Sequence, residues 1–524
     1  MRGQLNYTRY FNQRTHYVNV IGGAEVKKFI AESNTQRKMG YNDDLLSWQY
    51  LNAEKLAKGI EWWDGTRYTY DVTSYDRFGF TDNREASFYS SAVYTYKEKY
   101  TASGSFRIDQ SNLFGTDPKY KRTPLWSTGL SWNISNEPFF QSGIVSNLVL
   151  RGTYGLTGNF DRSTSPFLIA SRLYNNVVQD YISSISTPPN PKLRWERTRT
   201  ANIGVDVALL KGRVSASVEG YFKRSYDLLG QIVMDPTNGF PSGRINAADL
   251  RNNGIETSIN AYIIQGRHFS WQTTLNLAYN DNKITKNNVT DSDPVIGRVL
   301  PSSGIGSQRF VEGYAREGLW SYAWAGLDEK GGPLTYDEKG EKINTPVFAS
   351  LVYSGNIRPM YTGGWSNTFS YKGLQASFFL VFNAGHVFRR EYPSMNPWDT
   401  NPQTNELIAD RWRKPGDEAK TDVAGIPFME DFTDSRERMV KYSSNSVLNG
   451  GFVRLREIQL SYGLPAGILK QTPLRALSIT AQANNIHIWT KNKYHLDPEA
   501  IDPVAGTYNL TEPTVFTFGL RASF

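Results

Sequence analysis

The chain has 524 residues, of which 14% are aromatic and 21% are charged, and it contains no cysteine. The absence of cysteine excludes disulfide frameworks, thiolate metal sites and cysteine nucleophiles. The formal charge of +8 is modest for this length, and lysine and arginine are scattered rather than collected in an arm, so we expect no nucleic-acid partner.

The first segment, MRGQLNYTRYF, has the pattern of a strand and lacks the apolar core and cleavage site of a signal peptide. Leu5, Tyr7 and Tyr10 lie among polar residues with no leader before them, so we expect the chain to begin within its fold. The longest apolar stretches are short, as in FFLVF, whereas a membrane-spanning helix needs about 18–20 apolar residues. We therefore expect no transmembrane helix.

Alternation of apolar and polar residues recurs along the whole chain, which is typical of strands with two different faces. We count roughly sixteen such segments, each near the ~9–11 residues with which a tilted strand crosses a bilayer. The apolar face includes Leu148, Leu150, Tyr154, Ala201, Ile203, Val205, Val214, Val218, Phe222, Ile255, Ile259, Leu275, Leu277, Phe378, Leu380, Ile479 and Ala481. The other face is rich in Ser, Thr, Asn, Gln and Gly, as in a water-filled lumen, and carries the isolated charges Arg151, Asp206, Glu219, Lys223 and Glu256.

The connections between these segments alternate in length. Short turns are predicted at residues 97–99, 211–212 and 265–268, and Tyr94, Tyr96 and Tyr100 flank the first of them like an interfacial girdle. Long loops are predicted at about 27–84, 159–192, 286–360 and 384–449. Short turns on one side and long loops on the other predict a transmembrane antiparallel β-barrel with long extracellular loops.

One segment changes phase in its interior. Val453 and Leu455 have one parity, whereas Ile458 and Leu460 have the other. An extra residue near Arg456 restores the alternation, so we predict a β-bulge there.

The long loops hold the candidate binding residues. In IEWWDG, Trp62 and Trp63 could stack on a sugar ring while Asp64 accepts hydrogen bonds from hydroxyl groups. The alternative is that these rings pack the loop against its neighbours or against a partner protein. Trp320 and Trp324 are expected to fold a loop inward.

Evidence for catalysis or for a metal site is weak. The five histidines have no metal-ligand spacing, and no nucleophile elbow is present, so we expect neither an enzyme nor a cofactor. DEKG occurs at 328–331 and 337–340 without the ligand spacing of a calcium loop, which favours two simple turns. DPEAIDP at 497–503 could hold a cation, but it also fits a structural loop.

Several longer motifs resemble one family. In this order the chain contains YTYKEKYTASGSFRIDQSNLFG, LSWNISNEPFF, LRGTYGLTGN, NPKLRWERTRTANIGVDVALL, NNGIETSI, DRWRKPGD, FVRLREIQLSYGLP, NNIHIWTKNKYHLDPE and FTFGLRASF. Together these resemble the SusC/RagA-type TonB-dependent outer-membrane transporters along essentially the whole chain. The resemblance implies location in the Gram-negative outer membrane and import of glycans or, alternatively, peptides.

The resemblance also implies an architecture and partners. Members are barrels of about 22 strands closed by an N-terminal plug. They depend on the TonB complex and are capped by a SusD-like surface lipoprotein. This sequence shows no TonB-contacting segment and no plug, and about six strands of such a barrel are missing. We therefore expect residues 1–524 to be a C-terminal portion of the barrel domain that is inactive in import by itself.

The chain ends on an alternating strand whose apolar parity includes Phe516, Phe518, Leu520 and Phe524. In this family a terminal aromatic residue on the last strand is the signal read by the barrel-assembly machinery, and we predict that role for Phe524. The simpler alternative is one more residue facing membrane lipid. Two other protein classes stay open at this point, a secreted soluble carbohydrate-binding or adhesin β-protein and a passive porin.

Overall fold

A computed structural model of the protein describes residues 1–35, 38–49, 52, 54, 58–68, 77–113, 123–159, 161, 166–175, 178, 180–235, 237, 239–240, 242–288, 311–394, 396, 406–428 and 433–524. The strands are β1 (Arg2–Phe11), β2 (His16–Thr35), β3 (Met39–Asn42), β4 (Ser47–Gln49), β5 (Ile60–Glu61), β6 (Arg67–Tyr68), β7 (Arg77–Tyr96), β8 (Tyr100–Ser111), β9 (Thr123–Asn133), β10 (Val145–Asn159), β11 (Ile169–Asn175), β12 (Asp180–Thr187), β13 (Glu196–Leu209), β14 (Val214–Val233), β15 (Ser242–Gln265), β16 (Phe269–Asn287), β17 (Gly318–Tyr322), β18 (Thr335–Tyr336), β19 (Lys342–Ile343), β20 (Leu351–Asn356), β21 (Tyr361–Tyr371), β22 (Leu374–Ala384), β23 (Val387–Arg389), β24 (Val447–Asn449), β25 (Phe452–Gly463), β26 (Ala476–Thr490) and β27 (Val515–Ser523). The helices are α1 (Asp434–Lys441) and α2 (Ala466–Leu469), and single 3₁₀ turns occupy Ile134–Asn136, Phe348–Ser350, Glu406–Asp410, Asp417–Ala419, Ser444–Ser446 and Pro498–Ala500. Within the described residues, none of the helices has the length and apolarity to cross a membrane.

Fifteen strands form one sheet, and their spatial order repeats their order in the chain: β1, β2, β7, β8, β9, β10, β13, β14, β15, β16, β21, β22, β25, β26 and β27. Every neighbouring pair in this sheet is antiparallel. This up-and-down topology is that of an outer-membrane barrel wall. The all-β transmembrane barrel prediction is confirmed, with fifteen strands in the described sheet where roughly sixteen were expected.

The predicted short turns lie between consecutive long strands. Lys97 and Glu98 have φ of 52° and 55° and turn the chain from β7 into β8. Leu210 and Lys211 do the same between β13 and β14, with φ of 53° and 58°, followed by Gly212. Tight turns of left-handed residues match the twist of the strands they join. These turns lie at one edge of the wall, and the long connections lie at the other.

The first long loop is shorter than the sequence suggested. We expected residues 27–84 to form it, but β2 continues to Thr35 and β7 begins at Arg77, with these two residues directly paired. The extra residues are mostly polar and alternate poorly, so periodicity does not identify them as strand. Backbone pairing continues beyond the membrane because a sheet in water does not need an apolar face to form its ladder.

The two faces of the wall differ as the alternation predicts. Ile203, Phe222 and Ile255 share one face and are 60%, 56% and 54% exposed within the chain. That face is directed at lipid, because apolar side chains alternate outward in a transmembrane barrel. The opposite face is the lumen, and the long loops fold against it at Phe452 and Arg454, which are both buried.

The predicted bulge is present. In the pairing of β25 with β26 the register shifts between Leu455 and Glu457, and the pairing with β22 shifts between Phe379 and Leu380. Arg456 is the inserted residue, so Val453 and Ile458 face lipid in spite of their different parity.

Three clusters of buried apolar residues lie in the long loops. One cluster joins Leu327, Tyr392, Val423, Ala424 and Val440, a second joins Trp320, Tyr322 and Met439, and a third joins Phe388, Leu448 and Ile501. Trp324 packs against the first cluster and Trp320 belongs to the second, so the expected inward folding of this loop is confirmed. Three separate loop segments thus form one packed assembly at the long-loop end of the wall.

Candidate functional site

The predicted binding residues Trp62, Trp63 and Asp64 form the turn of the hairpin between β5 and β6. The Trp62 amide donates to the Thr66 carbonyl at 2.8 Å, and the Gly65 amide donates to the Trp62 carbonyl at 3.0 Å. Asp64 Oδ1 accepts from the Thr66 amide at 2.8 Å. Trp63 is 88% exposed and Trp62 is 51% exposed. The turn therefore presents an aromatic ring and a carboxylate side by side to solvent instead of packing them into the loop core.

The predicted lumenal charges lie on one face and are largely paired. Arg151 Nε is 2.9 Å from Asp206 Oδ2, and Arg151 Nη2 is 3.1 Å from Glu219 Oε2. Glu256 lies directly across from Glu219 in the register of β14 and β15. Lys223 Nζ lies 4.5 Å from the centroid of the Tyr221 ring. Cations and anions share this wall, which argues against a pore that is strongly selective for either sign of charge.

The DPEAIDP segment is tied to the lumen wall by ion pairs. Arg454, which is buried, donates from Nη2 to Asp497 Oδ1 at 2.6 Å. Arg456 donates from Nη2 to Glu499 Oε2 at 2.6 Å. These carboxylates neutralise arginines, and no group of histidine and carboxylate side chains in the described residues is arranged to hold a metal ion. Of the two roles considered for this segment, the geometry favours the structural loop.

Both DEKG segments are turns closed by their own aspartate. Asp328 Oδ1 accepts from the amides of Lys330 and Gly332 at 2.9 and 2.7 Å. Asp337 Oδ1 accepts from the amides of Lys339 and Glu341, both at 2.8 Å. The side chain copies a backbone turn, which is the usual structural role of aspartate in loops.

Two consecutive buried arginines, Arg389 and Arg390, lie at the centre of the loop assembly. Arg389 is 1% exposed, and it donates from Nη1 to the Val504 carbonyl at 2.6 Å and from Nη2 to the Trp320 carbonyl at 2.9 Å. Its guanidinium also lies 4.9 Å from the centroid of the Tyr442 ring. One side chain thereby links four loop segments.

Arg390 has different surroundings. It is 5% exposed, its Nε and Nη1 atoms have no hydrogen-bond partner, and its guanidinium lies 4.7 Å from the centroid of the Tyr494 ring. It lines a cavity of about 280 Å³ together with Glu391, Glu406 and Tyr508. A buried guanidinium with unused donors is a ready group for an incoming carboxylate or hydroxyl.

Tyr392 fixes the backbone next to this cavity. Its hydroxyl donates to the Asp422 carbonyl at 3.1 Å and accepts from the Ala424 amide at 3.1 Å. Burial raises the pKa of the Tyr392 phenol to about 12, so it stays a neutral donor. Tyr392 therefore joins the segment beside the cavity to residues 422–424 through two neutral hydrogen bonds.

Phe524 follows the last residue of β27 and is 75% exposed. Phe516, Phe518 and Leu520 of that strand are also exposed, at 68%, 80% and 71%. The terminal ring thus continues the apolar outer face. Its role as an assembly signal stays a prediction.

Sequence reasoning did not find Arg389 and Arg390. The available signal was the pair of arginines in HVFRREYP, a segment in which apolar and aromatic residues flank three consecutive charged residues. Burial of that pair depends on Trp320, Tyr442 and Val504, which are distant in sequence, so the pattern by itself could not identify it.

Comparison with known proteins matches this geometry. Residues 1–486 match a family model described as TonB dependent receptor-like, beta-barrel. TonB-dependent receptor P39 of Formosa agariphila is 26% identical over 99% of this chain and 52% of its own length. The receptor SusC of Bacteroides thetaiotaomicron is 28% identical over 55% of this chain and 30% of its own length.

A solved structure shares the fold. The structure of the RagAB peptide transporter superposes with a TM-score of 0.77 at 21% identity and covers 100% of this chain and 55% of that one. The chain spans about half the length of the curated relatives P39 and P26 of Formosa agariphila that it matches, at 52% and 51% of their lengths.

Proposed function

The chain belongs to the TonB-dependent receptor-like β-barrel family of the outer membrane, and we propose that it forms the wall and external loops of a nutrient importer for oligosaccharides. The family consists of receptors and transporters rather than enzymes, and we propose no catalytic role for this chain. Membership in an outer-membrane family removes the soluble adhesin from consideration. The family's dependence on TonB likewise disfavours a passive porin.

We propose that the chain is the C-terminal portion of a longer barrel domain. Two observations support this proposal. The chain spans about half of its relatives, and in the described residues β1 and β27 are the free edges of the sheet. An edge strand in hydrocarbon leaves unpaired backbone groups that cost several kcal/mol each, so a closed barrel needs further strands.

The partners follow from the same proposal. We propose a SusD-like surface lipoprotein as the lid over the long-loop end, and energy from the TonB complex through a plug domain. The barrel-assembly machinery would insert the chain by reading Phe524. The packed loop assembly supports the first of these partners, because it provides an ordered surface for a lid to close on.

The observation that carries the oligosaccharide proposal is the geometry of the hairpin turn at Trp63 and Asp64. An indole ring that is 88% exposed can stack on the apolar face of a sugar. The neighbouring carboxylate uses Oδ1 within the turn, which leaves Oδ2 for sugar hydroxyl groups. Both groups lie on a long connection of the wall, the side from which an external nutrient arrives.

Binding of oligosaccharides to the native outer-membrane protein tests this proposal. Isothermal titration with maltoheptaose, laminarihexaose and chitohexaose is compared between wild type and Trp63→Ala. Loss of one stacked ring is expected to weaken binding about tenfold, corresponding to roughly 1.4 kcal/mol. Phe428→Ala is the control, because Phe428 is 79% exposed on a different loop. Equal affinities of wild type and Trp63→Ala for every sugar would remove the proposed role of this turn.

Peptide import is the second candidate, and the Arg390 cavity favours it. A cavity lined by one guanidinium and the carboxylates of Glu391 and Glu406 matches a zwitterion, which carries both signs of charge. Titration with hexaalanine separates the two candidates. Binding of hexaalanine that Arg390→Met abolishes, together with no binding of the sugars, would replace the oligosaccharide proposal with the peptide one.

A further inference from the structure

Four cations form an unbroken row across four neighbouring strands. In the register of the wall Arg199 of β13 lies directly across from Arg224 of β14, Arg224 lies across from Arg251 of β15, and Arg251 lies across from Lys283 of β16. Residues directly opposite each other in an antiparallel sheet have Cβ atoms about 4.5–5.5 Å apart. We name Arg199, Arg224, Arg251 and Lys283 the cationic row.

The cationic row lies on the lipid-directed face. Ile203 and Ile255 are exposed apolar residues of that face. Arg199 lies an even number of residues from Ile203 on β13, and Arg251 lies an even number of residues from Ile255 on β15, so both arginines share the face. The opposite parity carries the lumenal residues, including Lys223 beside Arg224. Arg199, Arg224 and Lys283 are themselves exposed.

The height of the cationic row places it at the membrane surface. The adjacent register row contains Ala201 and Phe222, and Phe222 is 56% exposed toward lipid. Two residues along a strand advance about 7 Å, or about 5 Å along the membrane normal at a 45° tilt. The row lies toward the long-loop ends of its strands, away from the short turn at Leu210 and Lys211. That end is the extracellular one, so these cations lie level with the outer-leaflet headgroups.

The protein itself neutralises little of this charge. Arg251 forms an ion pair with Asp281 at 3.3 Å, and the Arg199 guanidinium lies 5.4 Å from the centroid of the Tyr226 ring. In the described part of the chain, Arg224 and Lys283 have no ion pair with a carboxylate. Like charges directly opposite each other on a sheet are destabilising. A row of four is therefore a cost to folding unless an external anion lies against it.

A cavity extends the row toward the loops. It has a volume of about 330 Å³ and is lined by Arg197, Arg199 and Lys286, with Asp227 and Asp249 at its wall. Arg197 is paired with Asp227 at 2.5 Å, whereas Arg199 lines the cavity without an ion pair among the described residues.

We propose that the cationic row binds the phosphate groups of an outer-leaflet glycolipid. Guanidinium groups bind phosphate oxygens in a bidentate manner, and membrane lipids supply such phosphates at this height of the wall. The lipid's acyl chains would lie along Phe222 and Ile255 below the row, which a soluble anion would leave uncovered. The lipid would thus stabilise four strands whose own charges repel each other.

The experiment uses the native protein in phosphatidylcholine nanodiscs that contain either diphosphoryl lipid A or the same lipid A with its phosphates removed. Retained lipid A is counted by native mass spectrometry. Each cation near an anionic lipid surface is worth about 1 kcal/mol, so Arg224→Gln is expected to weaken retention of diphosphoryl lipid A about fivefold. The double variant Arg199→Gln/Arg224→Gln is expected to weaken it about 25-fold.

The matched controls remove equal charge elsewhere on the same strand pair. Lys223→Gln changes the lumenal neighbour of Arg224, and Lys223→Gln/Lys211→Gln removes two charges without touching the row. Both are expected to retain diphosphoryl lipid A as wild type does. If Arg224→Gln does not assemble, Lys283→Gln replaces it, with the same expected loss. Assembly is checked by heat-modifiable electrophoretic mobility.

Three results would overturn the proposal. The first is equal retention of the phosphorylated and dephosphorylated lipid by wild type. The second is an equal loss in the row variants and in their controls, which would indicate only net charge. The third is displacement of the lipid by inorganic phosphate at equal concentration, which would assign the row to a free anion.

Discussion

Replacement of Arg389 by methionine should loosen the loop assembly, whereas the same change at Arg390 should not. Both side chains are buried, at 1% and 5% exposure, and they are consecutive in the chain. Arg389 donates to the carbonyls of Val504 and Trp320 at 2.6 and 2.9 Å. Nε and Nη1 of Arg390 have no partner. The pair therefore separates the effect of hydrogen bonding from that of burying a charge.

The expected magnitude follows from these contacts. Hydrogen bonds from a charged donor contribute about 1.5–3 kcal/mol each to stability. The two hydrogen bonds from Arg389 to carbonyl groups therefore contribute at least about 3 kcal/mol. Removal of a buried charge regains desolvation energy in both variants, and methionine restores most of the buried apolar volume in both. The free energy of local opening should therefore be about 3 kcal/mol lower in Arg389→Met than in Arg390→Met.

Hydrogen–deuterium exchange measures this difference. Amides of β17, β23 and β24 should exchange about a hundredfold faster in Arg389→Met than in Arg390→Met, since each 1.4 kcal/mol is a factor of ten. Amides of β13 and β14, in the wall, serve as the internal reference and should exchange equally in both variants. Equal protection of the loop amides in the two variants would refute the assignment of Arg389 as the link between the loop segments.

Three further predictions concern pH and assembly. The Tyr100 hydroxyl, with help from the Lys99 ammonium and the Trp132 indole, lowers the pKa of Glu137 from 4.5 to about 2. Stability from this carboxylate is present above pH 4.5 and is lost as the pH falls toward 2, so urea unfolding should become less pH-dependent in that window for Glu137→Gln. Burial lowers the pKa of His386 below 6.5, so the folded protein binds this proton less readily than the unfolded chain. Protection of the loop amides should therefore decrease as the pH falls below 6.5, and His386→Gln should reduce that decrease. Deletion of Phe524 should lower the amount of barrel inserted in outer membranes without changing its stability once folded, and unchanged insertion would leave the residue as lipid-facing only.

The wall could be predicted from the sequence because its pattern is local. Apolar and polar residues alternate around Ile203 and Ile255 because one face of each strand contacts lipid and the other contacts water. This pattern can be recognised in each strand separately. The turn at Lys97–Lys99 is likewise local, since it joins two strands that are consecutive in the chain, and the closure of that hairpin places Lys97 and Glu98 at left-handed φ. Even the bulge at Arg456 was visible as a phase change.

The polar extension of β2 to Thr35 was not predictable in this way. Above the membrane no solvent difference separates the two faces, so the side chains carry no period, and only pairing with Arg77 and its neighbours defines the strand. The hairpin turn at Trp63 was partly predictable from the sequence. Its residues were recognised as a candidate from their chemistry, and their exposure became known only from the structure.

The sequence by itself determined an outer-membrane β-wall with its inner and outer faces, because a two-residue period encodes the lipid boundary strand by strand. Tertiary structure alone decided which charges meet. Arg199, Arg224, Arg251 and Lys283 are separated by 25 to 32 residues without a fixed period, and strand register brings them into one row. The burial of Arg389 and Arg390 has the same origin, since the loops that cover them come from distant parts of the chain.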